Sequence, residues 1–164
     1  MSFNGKVVSE INAYFPADRP IHVAAYYWMD KQSTEHSSEF EMQDKYYQEL
    51  IGEQDNWIYS GMYIDKGKKN RAHFNAMIWE AKNGKLDLIV TKNISRLSRN
   101  VMDCIFTVRD LLRLKKPVGI YFEVEGLCTL YPQTEMMLNF LSTMAIAESE
   151  NKGNHTGCIP KNLR

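Results

Sequence analysis

The chain has 164 residues, 44% of them hydrophobic, with nine Tyr, seven Phe and three Trp. That length and composition suit one globular domain with a real core and exclude a disordered chain. Lys+Arg and Asp+Glu both number 20, which excludes a uniformly basic nucleic-acid module. Any contact with a polyanion must come from a local patch or from a part absent here.

Other classes fall away as quickly. No apolar run approaches ~20 residues, so no membrane span is expected. The N-terminus lacks an apolar signal core. Cys104, Cys128 and Cys158 show neither paired spacing nor a metal motif. The odd count suits reduced thiols and a cytoplasmic setting. His22, His36, His73 and His155 form no ligand cluster, and no metal or cofactor is expected.

Taken in order, residues 1–20 read as a leader without clear periodicity, punctuated by Pro16 and Pro20, that lies across the surface or frays. Ile21 to Met29 is predicted as a strand, apolar on both faces and therefore central. Asp30 to Ser37 is a polar loop. Ser38 and Glu41 form a Ser-x-x-Glu capping box, so a helix is expected there, with Phe40, Tyr47, Leu50 and Ile51 on its apolar face and Gly52 as its stop. Trp57 to Ile64 is a second strand and Lys66 to Arg71 a basic turn. Phe74, Met77, Ile78 and Ala81 mark a helix ended by Asn83-Gly84. Leu86, Leu88, Ile89 and Val90 form a buried third strand. Val101, Cys104, Ile105, Val108, Leu111 and Leu112 then recur at helical spacing, and that helix ends before Pro117. Val118 to Val124 is a fourth strand, and Gly126 to Pro132 a loop. A long helix runs from Glu135 to about Glu150, with Met137, Phe140, Leu141 and Met144 inward and Met136, Leu138 and Ile146 making its other side apolar too. Residues 151–164 are expected to be a disordered tail.

The alternation implies an α/β domain over residues 21–150. About four mainly parallel strands joined by right-handed crossovers are flanked by helices, in three layers. The doubly apolar last helix predicts a subunit interface, since a helix lying on a sheet needs one apolar stripe.

The chemistry concentrates after the third strand, in Thr91-Lys92-Asn93-Ile94-Ser95-Arg96-Leu97-Ser98-Arg99-Asn100. Open α/β sheets place ligands at the carboxyl ends of their strands. Lys92, Arg96 and Arg99 crowd that spot, and the two arginines, three apart, can share one face. Cations at a helix start oppose the macrodipole, so an anion, most simply a phosphate, is the expected occupant. On spacing alone, a solvated surface is the more usual explanation of two such arginines.

The stretch from Thr91 to Asp103, centred on Ser-Arg-Leu-Ser-Arg-Asn, resembles the active-site loop of the serine recombinases, the resolvase/invertase family, and above all its large transposon- and phage-type members. Val23-Ala24-Ala25-Tyr26 resembles that family's first strand and Phe40-Glu41-Met42-Gln43 its first helix. Gly119 to Glu123 resembles the strand before its long helix. Leu141 to Ala145 with Glu148-Ser149 resembles that helix. The resemblance runs from about Val23 to about Glu150 and implies a resolvase-like fold and a DNA substrate. It also implies origin in a mobile element, and assembly as a homo-oligomer or with an active recombinase through the helix from Glu135. The family's large C-terminal DNA-binding region is missing from the chain.

In that family a serine at the end of the first strand attacks a DNA phosphodiester, forming a 5′-phosphoserine link without a metal. Arginines stabilise the charge that builds at phosphorus. By motif, Arg96, Arg99 and Arg71 match three of those arginines, with Lys92 beside them as a phosphate contact. Gln43 and Asp65 match further family positions. The departure is at the first strand, where the family has Tyr-x-Arg-Val-Ser-Thr and this chain has Tyr26-Tyr27-Trp28-Met29-Asp30-Lys31. Without gaps, Asp30 stands in the nucleophile's place and Trp28 in an arginine's. A carboxylate ~4 Å from a phosphate charge adds repulsion on the order of 4 kcal/mol at an effective dielectric of 20, so impaired cleavage is expected. In a second register with three extra residues, Lys31-Gln32-Ser33-Thr34 aligns instead, making Ser33 the nucleophile and Lys31 its cation. A reading from another class, a doubly wound module for a phosphorylated ligand, lacks both Gly-x-Gly-x-x-Gly and Gly-x-x-x-x-Gly-Lys-Ser/Thr.

Overall fold

The computed structural model describes residues 2–29, 36–67, 71–98, 100–141 and 143. Its elements are α1 (Gly5–Tyr14), β1 (Ile21–Met29), α2 (His36–Gly52), β2 (Trp57–Lys66), α3 (Ala72–Lys82), β3 (Leu88–Thr91), α4 (Ile94–Leu97), α5 (Val101–Leu112), β4 (Gly119–Phe122), β5 (Leu127–Cys128) and α6 (133–141). The sheet order is β2-β1-β3-β4-β5. The first four strands are parallel, and β5 runs antiparallel to β4.

Alternate side chains of a strand leave on opposite faces, and here both faces are covered. Val23, Ala25, Leu88, Val90 and Tyr121 meet α1 and α2 through Val7, Ile11, Tyr47 and Ile51. Ala24, Tyr26, Ile89 and Ile120 meet α3 and α5 through Phe74, Met77, Ile105 and Val108. The expected three-layer α/β/α architecture is therefore present. At the rim, Gly119 leaves room for Leu130, whose Cγ would stand 2.4 Å from any Cβ placed there.

Several expectations need correction. The segment read as a fraying leader contains α1, whose Val7, Val8 and Ile11 are buried. The Asn4 side chain caps it by accepting from the Lys6 and Val7 amides. Its apolar stripe is short and β-branched, so helix propensity hid it, and packing on the sheet supplies the stability. The segment is also tied down by other bonds. The Trp57 indole donates to Asn12 at 2.7 Å, and the Arg19 guanidinium forks onto Asp87 at 3.1 and 3.2 Å.

The sheet has five strands rather than about four, because β5 lies within the stretch read as loop. Two residues are too short to show a period. The fourth strand is confined to Gly119–Phe122, and β2 runs on to Lys66. α2 is already helical at His36, so Ser38 lies inside its first turn rather than capping it. α6 starts at 133, and it buries Thr134 and Leu138, four apart. Met137 and Phe140, expected inward, are exposed, as is Met136. Arg109 on α5 sets this rotation by donating to Glu135 at 3.1 Å and Asn139 at 3.2 Å. Met144, Ile146 and the tail from 151 lie outside the described residues.

Because Ile11 is fully buried between helix and sheet, Ile11→Ala should destabilise the fold by about 2–4 kcal/mol. Urea denaturation reads this directly. An unchanged midpoint would mean that α1 is not part of the cooperative core.

Candidate functional site

Parallel pairing brings the carboxyl ends of β1, β2 and β3 to one edge, with Met29 opposite Lys66 and Tyr26 opposite Thr91. Asp65, near the end of β2, is 3% exposed, so its charge demands partners. It accepts from the Tyr26 hydroxyl at 2.9 Å and from the backbone amides of His73 at 3.0 Å and Phe74 at 2.8 Å. Those amides belong to the first turn of α3, whose own cap residue, Arg71, offers no side-chain acceptor. A carboxylate from the neighbouring strand thus does the work of an N-cap. The His73 ring nitrogen Nδ1 lies 3.2 Å from the same carboxylate.

Arg71 is held at the mouth of this arrangement. Its Nη2 donates to the Tyr26 hydroxyl at 3.3 Å and to the Leu97 carbonyl, and its Nη1 reaches the Ser98 hydroxyl at 3.5 Å. Its guanidinium lies 3.7 Å from the Phe74 ring centroid. Tyr26 stays a phenol, because burial raises its pKa well above the ordinary value despite the adjacent Arg71.

Arg96 comes from α4, a single turn capped by the Asn93 side chain, which accepts from the Arg96 amide at 3.0 Å. Its Nη1 donates to the Trp28 carbonyl at 3.2 Å, and its guanidinium lies 5.0 Å from the Tyr27 ring centroid. Tyr26 and Tyr27 project to opposite faces of the sheet, so Arg71 and Arg96 straddle the end of β1. Neither forms a carboxylate ion pair among the described residues. Lys92 stands at the same edge, its Nζ 5.3 Å from the Tyr46 ring.

Of the residues singled out from the sequence, then, Arg71, Arg96 and Lys92 gather at one edge. Asp30, Lys31, Ser33 and Arg99 lie outside the described residues. Trp28 is buried, and its indole donates to the Gly67 carbonyl at 3.0 Å. Gln43 donates to Glu39 one turn earlier at 2.9 Å and also faces this edge. Sequence reasoning missed Tyr26 as the link between Asp65 and Arg71. Its position in an apolar strand read only as core. Neither described thiol is a ready nucleophile, since burial pushes both Cys104 and Cys128 up to about 12.

The family model for the resolvase N-terminal domain matches residues 31–157. The chain belongs to the resolvase family. Among solved structures, this serine-recombinase fold is similar to the N-terminal catalytic domain of TP901-1 integrase, with 25% identity and a TM-score of 0.58 over 79% of this chain and 97% of that one. A resolvase family site-specific recombinase from Streptococcus pneumoniae shares the fold, with 24% identity and a TM-score of 0.67 over 88% of this chain and 99% of that one. No curated protein sequence matches. No helix among the described residues is long and apolar enough to cross a membrane.

The Asp65 network makes a specific demand on stability. Asp65→Ala should cost about 2–3 kcal/mol by stranding two helix amides and a phenol, and Tyr26→Phe about 1 kcal/mol. Thermal or urea unfolding of both variants would show this, and equal stability of Asp65→Ala and wild type would refute the capping role.

Proposed function

We propose that the chain is the catalytic-domain homologue of a site-specific serine recombinase from a mobile element, cytoplasmic, with DNA as its substrate. In this reading Arg71, Arg96 and Arg99, with Lys92, hold a DNA phosphate. Strand cleavage is impaired because Asp30 occupies the nucleophile's position. The observation that carries the reading is the convergence of Arg71 and Arg96 on Tyr26, Tyr27 and Trp28, the last residues of β1 but one. Fixed guanidinium groups stabilise a phosphoryl transition state by charge and by forked hydrogen bonding. Both groups are held at the end of β1, on the Tyr26 hydroxyl and the Trp28 carbonyl.

Two features favour Asp30 over Ser33 for that place. β1 is paired through Met29, the residue just before Asp30 in the sequence, which stands opposite Lys66. Tyr26 fills a fully buried slot and bonds Asp65. The register that promotes Ser33 would put Met29 in that slot, without a hydroxyl for the carboxylate. An aspartate there repels the phosphate, and an acyl phosphate, once formed, would be open to hydrolysis rather than rejoining.

The domain is taken as residues 21–150, with α1 as an N-terminal addition to it. Its remaining role is assembly, with its own copies or with an active recombinase. Met136, Met137 and Phe140 on α6 offer an exposed apolar strip for that contact.

Incubated with supercoiled plasmid carrying its cognate site and then denatured, the chain should leave no protein-linked DNA and no nicks. Duplex DNA should still bind, and Arg96→Ala should weaken that binding and lower the salt slope by about one. An adduct abolished by Ser33→Ala would overturn the Asp30 assignment in favour of Ser33. Absence of any duplex binding would overturn the DNA reading itself.

A further inference from the structure

Beside the arginines, between α2 and the ends of β1 and β3, lies a pocket of about 360 Å³ lined by Tyr27, Met42, Gln43, Tyr46 and Lys92. Tyr27, Met42 and Tyr46 take no part in the cleavage chemistry proposed above. The lining is specific all the same: two aromatic rings, a thioether and an amide, with cations at the rim. The guanidinium of Arg96 lies against Tyr27 at 5.0 Å and the ammonium of Lys92 against Tyr46 at 5.3 Å.

The walls are held in place. The Tyr46 hydroxyl donates to Glu123 at 2.9 Å, and its ring meets the fully buried Tyr47 edge-on at 4.9 Å. Gln43 is fixed through Nε2 by Glu39, which keeps its amide oxygen as an acceptor. A ring already ordered loses little freedom when something stacks on it.

We propose that this pocket seats one nucleobase whose adjacent phosphate lies on Lys92 and Arg96. Every base has a π-face that stacks on Tyr, and Met offers a polarisable edge. The Gln43 amide can meet a polar base edge, and the two cations match the charge next to it. The volume lies within the ~300–1,000 Å³ span of small-molecule sites. A base inside a duplex cannot enter, so the occupant is unpaired or flipped out of its stack. The proposal rests on the DNA reading only through Arg96 and the phosphate. It adds a base-binding subsite that strand cleavage does not require.

Two sources share this chemistry, a single DNA strand and a free nucleotide. Fluorescence anisotropy with the full chain separates them, using a labelled single-stranded oligonucleotide, the same strand with abasic positions, its duplex, and deoxynucleoside monophosphates as competitors. The intact strand should bind at least about fivefold tighter than the abasic strand. Tyr27→Leu should abolish that difference. Met42→Asp, at a position 63% exposed and so safe for folding, should weaken the intact strand through charge at the pocket wall. Competition by monophosphates at concentrations near the strand's own Kd would assign the site to free nucleotides. Weak competition would assign it to a strand. Equal binding of intact and abasic strands, or no effect of either variant, overturns the pocket. If that happens while duplex binding still depends on Arg96, the DNA reading stands alone. If the strand discriminates bases but the duplex never binds, the pocket stands and the recombinase reading fails.

Discussion

A buried carboxylate must find donors, and Asp65, itself on β2, finds them on two other elements at once. Its acceptors take a hydroxyl from β1 and two amides from the first turn of α3. This one group fixes the angle at which α3 leaves the sheet, the height of Tyr26 in its strand, and through Tyr26 the seat of Arg71. Had the cap been local, α3 would be secured, but only apolar packing would tie its start to β1. Capping from another strand makes the helix start and the arginine parts of one unit. An arginine held by neutral acceptors and an aromatic face keeps its charge while losing its freedom. That is the preorganisation that binding a phosphate rewards.

The same economy appears beyond the end of β3. Arg96 is not reached by a long element but by α4, a single turn that Asn93 caps. A turn that short has little stability of its own. It holds because Leu97 is fully buried and because Arg71 donates to the Leu97 carbonyl. The two arginines are therefore coupled, since the contact that orders Arg71 also closes the turn that presents Arg96. A change at Asp65 would be expected to reach Arg96 through Tyr26, Arg71 and Leu97, a chain of direct contacts.

The sheet and its helices were legible wherever apolar residues repeat over a long enough window. α3 and α5 follow their 3.6-residue period, and β1 and β3 their unbroken apolar runs. What escaped was short or tertiary in origin. α1 has a ten-residue stripe that is stable only on the sheet, and β5 has two residues that pair only because β4 is beside them. The rotation of α6 was misread because its many apolar residues fit more than one stripe, and Arg109 chooses between them. At the site, arginines spaced along a loop were legible as charge, and Arg71, Arg96 and Lys92 do share an edge. The role of Tyr26 was not, because an apolar strand does not reveal which hydroxyl will meet a carboxylate from its neighbour.

Neutral overall charge is consistent with such a site because charge is spent locally. Arg19 is paired with Asp87, Lys85 with Glu80 and Arg109 with Glu135, all away from the carboxyl edge of the sheet. These pairs serve folding, and each removes a cation from the field a polyanion would feel. At the edge itself Arg71 and Arg96 are held by carbonyls, hydroxyls and rings instead. Among the described residues, such partners orient a guanidinium without neutralising it. The field that matters is therefore set by which cations lack carboxylates, not by the sum over the chain. Trp28 sharpens this point. Where the family resemblance expects an arginine at the end of β1, the chain has an indole that donates to Gly67, and the backbone carbonyl of the same residue turns to Arg96. An indole in that place adds no charge to the edge, and the carbonyl beside it adds one more neutral acceptor that orients Arg96.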